Sequence, residues 1–329
     1  MKILMYDAKN YDKDSFNECL KKYPEISIDY LDTELSIQTV YLAKGYDAIC
    51  IFVNCELNKE IIKKLLTYKI HLVLLRCAGF NNVDLAYARK KSLTILRVPA
   101  YSPEAIAEHA LALALSVNRH IHKSYIKVRE NNFSLTSLTG INFFGKTAGI
   151  IGTGKIGACM CRLCHGIGMK VIAYDLHPNQ KLDFVTYVSL EELFKQSDLI
   201  SLHCPATPEN YHLINKETIE MMKDGVIFIN TSRGLLVHTN DLIAGIRNKK
   251  FFGVGLDVYE EEADNVFENR EDDILEHSTT ARLLSFPNVI ITSHQAFLTK
   301  EALEAIASTT LENAMSYQTH QINEANLVK

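Results

Sequence analysis

At 329 residues the chain is about twice the length of a ~150-residue domain, so two domains are expected. Hydrophobic residues make up 47% and charged residues 22%, a globular composition that excludes a disordered chain, a collagen-like chain and a long coiled coil. Lys and Arg number 35 against 39 Asp and Glu, a net charge of −4 with no dense basic run, so neither nucleic acid nor a membrane is expected as a partner.

The first residues turn acidic at Asp7, too soon for a secretory leader. No apolar run reaches the ~18 residues of a membrane span. The eight cysteines are scattered, mostly in apolar stretches. They read as reduced core thiols of a cytoplasmic protein. Runs 2–6, 26–31, 48–53, 71–76 and 93–98 are rich in Ile, Val and Leu at nearly every position, as strands covered on both faces are. Between them, 58–68 has helical spacing, with Ile61, Ile62, Leu65 and Leu66 on one face. Pro99 and Pro103 punctuate the end of this series. Ser102-Pro103-Glu104 starts a long helix, with Ile106, Ala110, Leu113 and Val117 as its apolar face. It is read as the connector between domains. Residues 130–145 read as a loop. A second series of strands follows at 147–151, 170–175, 198–203, 226–229, 253–257 and 289–292, and a helix at 299–317 carries Ala302, Ile306 and Leu311 inward. This alternation predicts an α/β fold: two Rossmann-like domains with parallel sheets and a cleft between them.

Gly152-Thr153-Gly154-Lys155-Ile156-Gly157 stands between a strand and a helical pattern, the order a dinucleotide-binding turn requires. Gly152 permits the tight turn, Gly154 leaves room for a pyrophosphate, and Gly157 lets helix and strand approach closely. The helix start offers N–H groups and a partial positive charge to phosphate. Asp175 ends the next strand, 18 residues after Gly157. A carboxylate there accepts from ribose hydroxyls and repels a 2′-phosphate, which favours NAD over NADP. Cys161-Arg162-Leu163-Cys164-His165 matches a haem-attachment pattern. It lies inside the helix after the glycine turn, where cysteine fills core, so no haem and no metal is expected.

Three charged positions lie just past predicted strand ends: Arg233, Glu262 and His294. Ligands of an open parallel sheet bind along that edge. Six segments complete the pattern. They are Arg76-Cys77-Ala78-Gly79-Phe80-Asn81-Asn82-Val83-Asp84, Val98-Pro99-Ala100-Tyr101-Ser102-Pro103-Glu104-Ala105-Ile106-Ala107-Glu108-His109, residues 149–157, Asn230-Thr231-Ser232-Arg233-Gly234, Gly255-Leu256-Asp257-Val258-Tyr259-Glu260-Glu261-Glu262 and His294-Gln295-Ala296-Phe297. In these segments the chain resembles the D-isomer specific 2-hydroxyacid dehydrogenases.

The resemblance implies that Arg233, Glu262 and His294 are catalytic. Lys155 and Ile156 would lie over the pyrophosphate, and Cys204, Pro205, Asn210, Thr231, Ser232 and Asp257 would complete the cofactor site, Asp257 near the nicotinamide. Backbone N–H groups of Ala78 and Gly79 would take the substrate carboxylate, with Tyr101 donating a hydrogen bond and Phe52 and Phe297 walling the pocket. Reducing a ketone needs a hydride at carbon and a proton at oxygen, which suits NADH with an imidazolium supported by an acid. A planar guanidinium suits the carboxylate and the carbonyl. Bulky pocket walls favour pyruvate, reduced to D-lactate; a broader enzyme acting on larger 2-oxo acids is one alternative, and an NAD-sensing scaffold or corepressor is another. Residues 1–100 with 298–329 would form the substrate domain and 101–297 the NAD-binding domain. The long helix would mediate hinge motion and, by family analogy, contact within a homo-oligomer, a dimer or tetramer.

Overall fold

In the computed structural model, which describes residues 1–262 and 278–328, the chain divides into two units. The first is Met1–Ser102 with Leu298–Lys329, and the second is Pro103–Phe297. No helix among the described residues is long and apolar enough to cross a membrane.

The first unit runs β1 (Lys2–Met5), α1 (Asn10–Leu20), β2 (Ser27–Tyr30), β3 (Ala48–Ile51), α2 (Lys59–Thr67), β4 (Leu72–Leu75), α3 (Leu85–Lys90) and β5 (Thr94–Arg97). All pairings are parallel, in the order β2-β1-β3-β4-β5. Strands β3 and β4 are buried at every position, which is why they carry no polar alternation. Asn58 caps α2 by accepting from the Glu60 and Ile61 N–H groups.

Just past β4, Arg76 is buried to 1% exposure. Its guanidinium donates to both Asp12 oxygens at 3.2 Å, to the carbonyls of Tyr6 and Asp7, and lies 4.7 Å over the Phe52 ring. Several kcal/mol of desolvation per ion are offset only by such full pairing. The arrangement ties the turn after β4 to the end of β1. Arg97 holds the next carbonyl of that turn, donating to Ala78 O at 2.8 Å.

The second unit continues with α4 (Pro103–Asn118), α5 (Ile121–Arg129), β6 (Thr147–Ile151), α6 (Lys155–Gly166), β7 (Lys170–Tyr174), β8 (Thr186–Tyr187), α7 (Leu190–Gln196), β9 (Leu199–Leu202), α8 (Lys216–Met221), β10 (Val226–Asn230), α9 (Thr239–Arg247), β11 (Phe251–Leu256), α10 (Ser278–Leu284) and β12 (Val289–Ile291). The sheet order is β12-β11-β10-β9-β6-β7-β8, parallel throughout. From β6 the chain steps outward to β8, then crosses back to β9, so the switch point lies between β6 and β9. Helix α4 is part of this unit's own core. A Cβ on Gly253 or Gly255 of β11 would stand 2.9 Å from Val117 or 3.0 Å from Leu113, so the bare backbone of β11 is what lets α4 settle on the sheet. Its buried side chains include Ala107 and Ala114 beside the expected Ala110, Leu113 and Val117.

The chain then returns to the first unit through α11 (Lys300–Gln318), capped by Thr299, whose hydroxyl accepts from the Ala302 N–H. Asn313 of α11 donates to Arg97 O at 2.9 Å, and Leu327 forms an antiparallel bridge with Leu96. Strand β8 was not expected; two residues are too short to leave a periodic pattern.

Candidate active site

The glycine turn leaves β6 with Gly152 at φ +90°, where an added Cβ would stand 2.7 Å from the His203 carbonyl. A Cβ on Gly157 would collide with the Gly152 carbonyl oxygen. At Gly154, in contrast, a Cβ would meet no protein atom within 4 Å. Gly154 is the N-cap of α6 and supplies no side-chain cap, so the first helical N–H groups face open space. A cavity of about 440 Å³ lies there, bounded by Gly154, Lys155, Cys159, Arg162, Glu104 and Asn179 among others. Two cations beside a bare helix start fit a pyrophosphate.

The three- and four-residue spacing of Ile156, Cys159, Met160, Leu163, Cys164 and Ile167 predicts a buried stripe, and the buried face of α6 differs from it. Gly157, Ala158, Met160, Cys161 and Cys164 are buried, whereas Ile156, Cys159, Leu163 and Ile167 are half-exposed. Contact of Gly157 with the turn rotates the helix so that the small residues meet β6 and α4. Cys159 lines the cavity instead. Burial pushes the Cys161 and Cys164 thiols up to about 12, the behaviour of inert core thiols.

Asp175, after β7, accepts from the Thr153 N–H and, at 3.1 Å, the Thr153 hydroxyl, while its other oxygen accepts from the His177 N–H at 2.8 Å. The carboxylate is thereby fixed beside the glycine turn. After β9, Asn210 braces its own loop, donating to Pro205 O at 2.7 Å and accepting from the Thr207 N–H at 2.7 Å. The Ser232 hydroxyl donates to Cys204 O at 2.6 Å, joining the loops after β9 and β10. Two buried polar atoms there have no partner among the described residues: Thr231 Oγ1 and His203 Nδ1. Unsatisfied donors and acceptors on the loops after β9 and β10 fit a polar ligand such as a dinucleotide. His203 shares a 2.9 Å hydrogen bond with Ser201, and burial pulls its imidazole down to about 4, so it is neutral near pH 7.

Arg233, Glu262 and His294 follow β10, β11 and β12, three neighbouring strands, and so share one sheet edge. Asn230 builds the Arg233 turn, accepting from the Ser232 N–H and donating to Arg233 O at 2.9 Å. The guanidinium is exposed and donates to Ser232 O at 2.7 Å. A Cβ on Gly234 would collide with the Tyr259 carbonyl, so this glycine lets the β10 and β11 loops touch. Of the three glutamates after β11, Glu260 is committed elsewhere. It pairs with His212 at 2.6 Å and accepts from the Thr239 N–H and hydroxyl. Burial would raise its carboxyl, but these bonds keep it below the ordinary carboxylate range. Glu262 Oε1 lies 3.3 Å from His294 Nδ1, and its Oε2 is buried without a partner among the described residues.

His294 sits at φ +51°, a left-handed conformation that favours glycine. Asp257, 1% exposed, sustains it. Its carbonyl accepts from the His294 N–H at 2.9 Å, and its carboxylate accepts from the Gln295 and Ala296 N–H groups at 2.9 Å and the Thr292 hydroxyl at 2.6 Å. Burial would raise this carboxyl, yet hydrogen bonds from His109, Thr292 and Ala296 hold it lowered. The sequence alone assigns no role to His109 or Thr292. A histidine on an apolar helix face has no periodic signal, although it closes one of the quoted segments.

In the first unit no protein acceptor takes the Ala78 or Gly79 N–H among the described residues. Phe52 is buried beneath Arg76, Phe297 of the second unit is buried, and Tyr101 is half-buried.

Residues 111–296 match the family model described as D-isomer specific 2-hydroxyacid dehydrogenase, NAD binding domain. The chain is 45% identical over 315 residues to the D-lactate dehydrogenase of Escherichia coli (strain K12), covering 95% of each. The apo structure of the D-lactate dehydrogenase from Escherichia coli superposes with a TM-score of 0.92 at 42% identity, over 100% of both chains. The pyruvate reductase of Chlamydomonas reinhardtii superposes with a TM-score of 0.93 at 39% identity, over 98% of this chain and 97% of that one.

Proposed function

We propose that this chain, which belongs to the D-isomer specific 2-hydroxyacid dehydrogenase family, reduces pyruvate reversibly to D-lactate with NAD as cofactor. The observation that carries the reading is the Glu262–His294 pair, 3.3 Å apart, on the sheet edge that also bears Arg233 and the glycine turn. Two of the similar proteins are a D-lactate dehydrogenase and a pyruvate reductase, which supports the substrate.

When bound, NADH would supply the hydride to the keto carbon. Gly152, Gly154 and Gly157 with Lys155 and Ile156 would hold its pyrophosphate, and Asp175 would take the adenosine ribose. Cys204, Pro205, Asn210, Thr231, Ser232 and Asp257 would bound the rest of the cofactor site. Arg233 grips the substrate carboxylate with its planar fork and polarises the carbonyl. His294 donates a proton from Nε2 to the carbonyl oxygen, because Nδ1 is turned to Glu262. Glu262, 3.3 Å from Nδ1, orients the ring so that Nε2 faces the substrate in both directions. The Ala78 and Gly79 N–H groups receive the carboxylate, and Tyr101 adds a hydrogen bond. Phe52, held under Arg76, and Phe297 are the residues proposed to contact the substrate's methyl group. Met1–Ser102 with Leu298–Lys329 acts as the substrate domain and Pro103–Phe297 as the NAD domain. The protein works in the cytoplasm as a homo-oligomer, a dimer or tetramer.

Steady-state oxidation of NADH with pyruvate, 2-oxobutyrate, 2-oxoisocaproate, phenylpyruvate and hydroxypyruvate tests the reading. The highest kcat/KM is expected with pyruvate, and chiral analysis should find D-lactate. A larger acid preferred over pyruvate contradicts the substrate. NADH binding without turnover of any acid contradicts the enzyme and favours a sensor or scaffold.

A further inference from the structure

His109 projects from α4 to the end of β12, where its Nε2 lies 3.0 Å from Thr292 Oγ1 and 3.4 Å from Asp257 Oδ1. Hydrogen-bond capacity orders this cluster. The Asp257 carboxylate only accepts, so the Thr292 hydroxyl spends its one proton on Oδ1 at 2.6 Å. Thr292 then has only lone pairs to offer His109, and Nε2 must carry the hydrogen. The ring is therefore the donor at the head of a chain: His109 Nε2–H to Thr292 Oγ1, and Thr292 O–H to Asp257 Oδ1. From Asp257 the chain continues into the backbone at Gln295 and Ala296, the two residues that follow His294.

We propose that His109 is a positioning residue for proton transfer: through Thr292 it fixes the Asp257 carboxylate, which clamps the left-handed turn that aims His294. The inference rests on the reading of His294 as the acid–base group. The strain at φ +51° is what makes the clamp necessary. A non-glycine residue stays in that region only where its surroundings over-determine it. Asp257 binds two N–H groups and one hydroxyl, and among the described residues His109 is the one side chain outside the 292–296 loop that also reaches its carboxylate, from the helix side. Removing the ring frees the hydroxyl and the carboxylate to turn together, and His294 moves with them. A displacement of ~1 Å at such a group costs on the order of 100-fold in rate.

The test compares wild type, His109→Ala, His109→Gln, Thr292→Val and the double variant His109→Ala/Thr292→Val, with His294→Ala as reference. For each, kcat and KM for pyruvate, the NADH dissociation constant by fluorescence and Tm are measured. His109→Ala should lose at least about tenfold in kcat. His109→Gln, which keeps an N–H donor at similar reach, should recover most of that loss. The double variant should be little worse than Thr292→Val, because both changes break one chain. Three results overturn the proposal: unchanged kcat in His109→Ala, no recovery by His109→Gln at equal Tm, or fully additive losses in the double variant. Wild-type turnover that survives in His294→Ala overturns the underlying reading instead, so the two failures are separable.

Discussion

Arg233 and Glu262 are both defined by what their neighbours leave them. Asn230 and Gly234 consume the backbone around Arg233, and its guanidinium faces outward as a fork. A lysine cannot present two parallel donors to a carboxylate. Arg233→Lys should therefore lower kcat/KM for pyruvate by about 100-fold with NADH affinity kept, a loss typical of one preorganised donor; stopped-flow and steady-state kinetics check it. Glu260, tied to His212 and Thr239, leaves Glu262 as the acid beside the imidazole. The sequence pointed to the same acid only through the family pattern, since three consecutive glutamates look alike without geometry. His203 carries a pH prediction. Its folded-state value of about 4 lies below the ordinary 6.5, so the folded protein binds fewer protons than the unfolded chain between those values. Its contribution to stability is complete above about pH 6.5 and is lost as pH falls toward 4, with a slope of at most ~1.4 kcal/mol per pH unit. His203→Asn should flatten the fall of Tm over that window; an identical slope in the variant contradicts this account.

At the scale of elements, the glycine turn separates two roles that one sequence pattern merges. Gly157 is needed by the protein itself, because a Cβ meets the Gly152 carbonyl. Gly154 is needed only by a ligand, because a Cβ there meets nothing and its φ of −63° suits alanine. Gly154→Ala should keep the wild-type Tm while weakening NADH binding at least about tenfold, and Gly157→Ala should lower both. Calorimetry with fluorescence titration reads the difference; equal effects of the two changes contradict it. The strands were legible because burial on both faces removes polar residues, and β6 falls on the same residues as expected. The face of α6 was not legible. Its register follows from a backbone contact at Gly157, and glycine has no hydropathy to mark a face. Nor was the His109–Thr292–Asp257 chain, whose members are far apart in sequence and meet only when α4 lies across β11 and β12.

At the scale of the molecule, α5 buries none of its residues within the chain. Ile121, Tyr125 and Ile126 stand more than half exposed, as do Phe133 and Leu135 just beyond the helix. So much apolar surface on one segment is unusual for a monomer; the segment directly follows α4, the helix expected to carry the homo-oligomer contact, and would extend that contact. Ile126→Glu with Leu135→Glu should shift the sedimentation coefficient to that of a 37.2 kDa chain, and a wild type already sedimenting as a monomer contradicts this. The two-unit division follows from where strands begin and end again after Ser102, and from α11, whose Asn313 and neighbours return to β5. The whole account turns on one act, delivery of a proton by His294 to a keto oxygen while NADH gives the hydride. Its most direct test is single-turnover reduction of pyruvate by His294→Ala preloaded with NADH. NADH should bind as in wild type, with hydride transfer slowed by about 100- to 10,000-fold; transfer at the wild-type rate contradicts the account.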